Sequence, residues 1–244
     1  MIDLHCHFLP GIDDGAQTLD EGLDLARAAV AAGIKTAVMT PHVHAGRYEN
    51  NRSSIKESFR AFDRALAAND IPLEIRIGGE VRISPEIMAM VEEEEIPYLG
   101  ELDGYRIMLL EFPHSHLTVG ADKLIQWLLA RRIRALIAHP ERNTEVMHNP
   151  EKIYPFVVMG CMLQVTGASI IGQFGKPARD CALGLIEREW VTVVATDAHN
   201  LLHRPPNLDL AREALIAIGG EPFARKLTEY LPAEIVRGNS SHLE

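Results

Sequence analysis

Cysteine is scarce in this 244-residue chain: Cys6, Cys161 and Cys181 are three in number and far apart. That spacing builds neither a disulfide framework nor a grouped-thiolate zinc site, and it fits a reducing cytoplasm. A cysteine-based phosphatase needs arginine six positions after its nucleophile. Here those positions hold Ile12, Gly167 and Glu187, which excludes that mechanism. No apolar run approaches the roughly 20 residues of a membrane span. Met1-Ile2 leads straight into Asp3 and His5, so the sequence predicts no signal peptide. Basic charge is also in short supply. With 24 Lys and Arg against 34 Asp and Glu, the net charge of −10 is a poor basis for gripping nucleic-acid phosphates. Neither a Gly-x-Ser-x-Gly elbow nor a Walker loop occurs.

The composition, 47% hydrophobic and 24% charged, is that of a soluble globular protein able to bury a substantial core. Strand candidates fall at residues 2–5, 36–40, 74–78, 105–111, 135–139, 162–165 and 191–196. They are short and aliphatic, as strands buried on both faces are. Helical patterns at 19–32, 54–69, 84–94, 122–132, 150–159, 177–189, 208–218 and 221–230 alternate with them. The second shows why: Ile55, Phe59, Phe62 and Leu66 recur at spacings of three and four. Seven strands alternating with helices, without a linker or a shift in composition, predict one parallel α/β barrel or sheet. The domain is expected over residues 1–239, with 240–244 a tail or an expression-vector remnant.

Metal-ligand residue types track the strand ends. His5 and His7 close the first strand, His42 follows the second, Glu80 follows the third and Glu111 ends the fourth. His139 ends the fifth, and Asp197 and His199 follow the seventh. In a parallel barrel those ends converge on one face. Imidazole and carboxylate suit zinc, manganese or iron, and five histidines with three carboxylates exceed what one ion takes. Two or three ions fit, with Glu80 or Asp197 bridging. Three divalent ions bring six positive charges against three negative from Glu80, Glu111 and Asp197, a surplus suited to a phosphate dianion and a hydroxide.

Arg142 and Arg204 follow the ligand groups and are candidates to bind phosphate oxygens, with Arg47 a lesser candidate for substrate contact. Asp13-Asp14-Gly15 reads either as turn chemistry or as a carboxylate behind a ligand histidine, the role in which Asp14 is the candidate. His44, His114, His116, His148, His203 and His242 lie away from strand ends and are read as surface or supporting residues. Of these, His114 and His116 are the ones expected near the pocket.

These residues carry a resemblance. Met1-Ile2-Asp3-Leu4-His5-Cys6-His7, Asp13-Asp14-Gly15, Thr40-Pro41-His42, Gly79-Glu80, Leu110-Glu111-Phe112, Ile137-Ala138-His139-Pro140-Glu141-Arg142, Gln164-Val165-Thr166 and Thr196-Asp197-Ala198-His199-Asn200 run in order along almost the whole chain. In them the chain resembles the polymerase and histidinol phosphatase (PHP) superfamily. Within it, the sequence is similar to the bacterial manganese-dependent tyrosine phosphatases of capsule and exopolysaccharide synthesis. The resemblance implies a distorted seven-stranded (β/α) TIM-like barrel holding three ions on the eight residues named. Those ions are usually manganese, with iron, cobalt, zinc or magnesium as alternatives. It also implies phosphotyrosine hydrolysis by a metal-activated hydroxide, with Arg142, Arg204 and Asp197 in the catalytic centre and a tyrosine autokinase as partner. The competing readings are a histidinol-phosphate or other small-molecule phosphatase, and a non-catalytic metal-binding interaction module.

Overall fold

A computed structural model describes residues 1–237. The tail expected at 240–244, with His242, and the end of the domain at 239 lie outside the described residues.

Ten strands form the centre: β1 (Ile2–Cys6), β2 (Thr36–Met39), β3 (His42–Val43), β4 (Glu74–Ile77), β5 (Glu80–Arg82), β6 (Gly100–Leu102), β7 (Tyr105–Glu111), β8 (Ile133–Ala138), β9 (Met162–Thr166) and β10 (Val191–Ala195). They pair in the orders β1-β2-β4 and β10-β9-β8-β7-β5-β3; all these pairs are parallel, and β6 lies antiparallel on β7. β3 and β5 are continuations. β2 resumes as β3 after Pro41, which has no N–H to give the ladder. β4 resumes as β5 after Gly78-Gly79, where a Cβ on Gly79 would stand 2.3 Å from Pro97 Cγ. At the other margin Asp197 N–H donates to the His5 carbonyl at 2.7 Å, and His7 N–H to that of Ala198 at 2.9 Å. The outcome is a parallel α/β fold of seven strand positions, a distorted barrel whose ladder is interrupted between β1 and β10.

The expected helices form, with corrections at their ends. Helix Leu19–Ala31 starts where Thr18 accepts from Glu21 N–H, and Arg52–Ala68 starts from an Asn51/Ser54 capping box. The pattern at 84–94 shortens to Ile87–Glu92. That at 150–159 divides into a tight turn, Pro150–Ile153, and a helix, Tyr154–Val158, because Pro155 cannot donate. The two C-terminal patterns stay distinct: the helical stretch Leu208–Arg225 is broken at Gly220 (φ +80°, ψ 173°), ahead of Pro222. A π-helical segment, Lys226–Tyr230, then leads to Leu231–Arg237.

This last helix closes the barrel floor. Ile235 packs into the interior cluster with Leu4, Val38, Ile107, Leu109, Leu136 and Val193. A Cβ on Gly100 would stand 2.0 Å from the Ile235 carbonyl oxygen, so β6 must be bare there.

A bulge in β1 links floor to site. Asp3 pairs with Ala37, yet Cys6 pairs with Met39, one residue too many on the β1 side. In a regular strand Leu4 and Cys6 share a face. Here Leu4 lines the interior and Cys6 packs in the outer layer. The phase change turns His5 and His7 toward the C-terminal face.

Candidate metal centre

All eight residues singled out at the strand ends meet on that face. His139 (φ +33°) and Asp197 (φ +54°) leave β8 and β10 in the left-handed region, which costs a non-glycine residue energy and turns both side chains sharply inward. Donor atoms of seven of the eight, together with Asp14, fall into three overlapping groups: His7, Asp14, His42 and His199; His5, His7, Glu80 and Asp197; His42, Glu80 and Glu111. His139 is in none of these and reaches the cluster through Glu80. Glu80 is central. Its Oε2 lies 3.2 Å from His5 Nε2 and 2.9 Å from His42 Nδ1, while Oε1 lies 2.7 Å from His139 Nε2. Asp197 Oδ1 lies 3.2 Å from His5 Nε2 and 3.4 Å from His7 Nε2.

The cluster fits divalent cations. Glu80 Oε2, Asp197 Oδ1 and His199 Nε2 are buried and make no aligned hydrogen bond among the described residues, although imidazole nitrogens crowd the two carboxylate oxygens at 2.9–3.5 Å. Buried polar atoms are rarely left so, and cations held by the first two groups would satisfy all three. Burial, followed by the nearby Arg142 guanidinium, lowers the His139 pKa to about 3. Burial, followed by His7, lowers that of His199 to about 4, so both present neutral imidazole at neutral pH, the form that binds metal. Burial and the adjacent Glu80 raise Glu111 to about 7, the strain of two carboxylates in one dry site.

Supporting contacts aim these donors. Asp13, rather than the Asp14 assigned to that role, stands behind His7: its Oδ2 lies 2.7 Å from His7 Nδ1 and accepts from His42 N–H at 3.0 Å. Asp14 instead faces into the cluster, 3.2 Å from His42 Nε2 and 3.6 Å from His199 Nε2. Gln164, at the one strand end without a ligand-type residue, lies with Oε1 2.9 Å from His5 Nδ1 and accepts from His139 N–H at 3.3 Å. Buried Asp3 accepts from Thr196 N–H at 2.9 Å and spans the β1–β10 seam. The signal for Gln164 and Asp3 was a lone polar residue in an aliphatic strand.

Beside the cluster lies an open cleft of about 540 Å³ lined by both sequence-derived arginines and by Arg47. Arg142 and Arg204 both donate to Asp197 Oδ2. Each keeps a buried Nε donor with no acceptor among the described residues. His114 lines the cleft, whereas His116 is exposed and bonded to Ser115 Oγ at 2.8 Å. His44, Tyr48 and Arg82 also line it. Arg82, which the sequence reading passed over, donates to Glu111 Oε1 at 3.0 Å. Tyr48 stacks on His42 with ring centroids 5.4 Å apart.

Fold and cluster together define a TIM-barrel-type parallel α/β protein with a His/carboxylate site suited to several metal ions. The fold alone is shared with the organophosphorus hydrolase of Deinococcus radiodurans, at TM-score 0.58 and 15% identity over 96% of this chain and 92% of that one. The chain belongs to the capsular polysaccharide synthesis CpsB/CapC family, whose profile matches residues 1–237. Bacillus subtilis tyrosine-protein phosphatase YwqE is 37% identical over 229 residues, 94% of this chain and 89% of that protein. Streptococcus pneumoniae tyrosine-protein phosphatase CpsB is 28% identical over 241 residues, 97% and 98% of the two chains. A crystal structure from work on YwqE and CpsB, described as unique metal-dependent tyrosine phosphatases, matches at TM-score 0.91 and 34% identity, covering 100% of this chain and 97% of that one.

Proposed function

We propose that this chain is a metal-dependent protein-tyrosine phosphatase of capsular or exopolysaccharide synthesis. One observation carries the reading. Around Asp197, buried acceptors without an aligned hydrogen bond (Glu80 Oε2, Asp197 Oδ1) stand beside buried donors without one (Arg142 Nε, Arg204 Nε). The first pair calls for cations and the second for an anion, and a phosphoryl group on a metal cluster meets both demands.

His5, His7, His42, Glu80, Glu111, His139, Asp197 and His199 would hold the ions, with Asp14 as a further carboxylate. Bound there, divalent cations supply an acidified water and countercharge for the phosphoryl oxygens. The chain's own residues do the rest. Arg142 and Arg204 orient the phosphoryl group by charge-assisted hydrogen bonds while Asp197 holds both guanidinium groups in place. Asp13 and Gln164 fix the faces that His7 and His5 turn to the cluster. Three manganese ions, a tyrosine autokinase as the protein substrate and a cytoplasmic setting complete the proposal. In support of the last, no helix among the described residues is long and apolar enough to cross a membrane.

Turnover of a phosphotyrosine peptide and of histidinol phosphate by the manganese-loaded protein tests the reading. The peptide is expected to be the better substrate; preference for histidinol phosphate would assign the chain to small-molecule hydrolysis instead.

A further inference from the structure

The register of β3, β5 and β7 builds a tier one step beyond His42 and Glu80 and level with Glu111. His42 pairs with Glu80 and Val43 with Val81, so His44 comes level with Arg82, and Arg82 in turn pairs with Glu111. Side chains two apart on a strand share a face. His44 therefore follows His42, and Arg82 follows Glu80, on the side that opens into the cleft, and both line it. Two strand residues rise about 7 Å. The turn closed by His44 N–H to the Tyr48 carbonyl, at 2.9 Å, brings Arg47 to the same wall, its guanidinium 4.9 Å from the Tyr48 ring centroid.

This wall is cationic and under-compensated. Arg47 has no ion-pair partner among the described residues, and Arg82 pairs there with Glu111 alone. A Glu111 carboxylate shared with a cation offers Arg82 little charge. Arg142 and Arg204 already stand at Asp197, across the site, where the phosphoryl group is proposed to sit. The tier thus stands about 7 Å beyond His42 and Glu80 along the strands, with Arg82 against Glu111 at the rim of the cluster. About 7 Å is the span of about two residues in an extended peptide at about 3.3–3.6 Å per residue.

We propose that Arg47, Arg82 and His44 form a subsite for acidic side chains flanking the phosphotyrosine, so that the enzyme selects an acidic segment of its protein substrate. The inference rests on the phosphatase reading above. Held in the tier, a flanking carboxylate would lay the peptide along the cleft and leave the phosphoryl group to the ions and to Arg142 and Arg204.

The test compares kcat/KM of the manganese-loaded protein for two phosphotyrosine peptides, one flanked by glutamate and one by alanine, with metal content measured on every sample. The wild type is expected to favour the glutamate peptide by about fivefold at low salt, and the ratio should shrink as salt rises. In Arg47→Gln, and in Arg82→Gln where it retains its metal, the ratio should fall toward one. Because Arg82 touches Glu111, Arg47→Gln decides if Arg82→Gln loses metal. A wild-type ratio near one, or a ratio unchanged in Arg47→Gln and in any metal-retaining Arg82→Gln, overturns the subsite while leaving phosphatase activity standing. Failure of the loaded wild type on both peptides overturns the phosphatase reading and the subsite together.

Discussion

Asp13 Oδ2 stands 2.7 Å from His7 Nδ1, and this contact decides which nitrogen His7 turns to the cluster. With Nδ1 protonated and donating, Nε2 presents its lone pair to the Glu80 and Asp197 side. Asp13→Ala should lower metal affinity by about 10–100-fold. Titration of the stripped protein with Mn²⁺, followed calorimetrically, measures it; unchanged affinity would mean that His7 needs no such support.

From their place at Asp197, the two arginines are proposed to act on the anion. Arg142→Ala should keep its metal content and lose about 100-fold in kcat/KM for a phosphomonoester, equivalent to about 2.7 kcal/mol of charge-assisted bonding. Arg204→Ala should shift in the same direction. Elemental analysis beside steady-state kinetics separates the two effects.

Cations should also stabilise the fold, because Glu80, Glu111 and Asp197 crowd one buried site. At 100 times the dissociation constant a bound ion adds about 2.7 kcal/mol, or about 5–10 °C in melting temperature for a chain of this size. Chelation should lower Tm by that order, and returning Mn²⁺ should restore it. A melting curve indifferent to chelator would count against a resident metal.

Thiol chemistry should be silent. Burial pushes Cys161 up to about 12; burial, aided by Glu141, does the same for Cys181; burial and Asp3 raise Cys6 well above the usual range. Little thiolate therefore exists at neutral pH, and iodoacetamide should neither label the native protein nor inhibit it. The sign of the linkage is fixed. Thiols with raised folded pKa values hold their protons when the unfolded chain, near pH 8.5, releases them. Their contribution to stability is therefore full below that pH and lost as pH rises toward 12. Urea midpoints measured between pH 7 and 11 should fall, and fall less in Cys161→Ser than in the wild type.

Much of this molecule was legible from its residues. Tyr105–Glu111 is long and aliphatic enough to mark both of its ends, and ligand-type residues falling at or just past six of the seven such runs foretold one convergent face. β3 and β5 were not legible. At two and three residues, isolated by Pro41 and by Gly78-Gly79, they are too short for periodicity to register, and their pairing is long-range. Arg82 was missed for the same reason, since only the β5 register shows that it faces the cleft. The exchange of roles between Asp13 and Asp14 turns on a loop rotation that adjacent identical side chains cannot encode. The bulge in β1 was equally hidden, being a property of its pairing with β2.

Phosphate release from a phosphotyrosine peptide, by wild type and Asp197→Asn, each chelator-stripped and then reloaded with Mn²⁺, tests the central claim most directly. The account predicts release by the reloaded wild type alone, with metal content reduced in Asp197→Asn. Equal release by the stripped wild type, or full release and full metal content in Asp197→Asn, would contradict it.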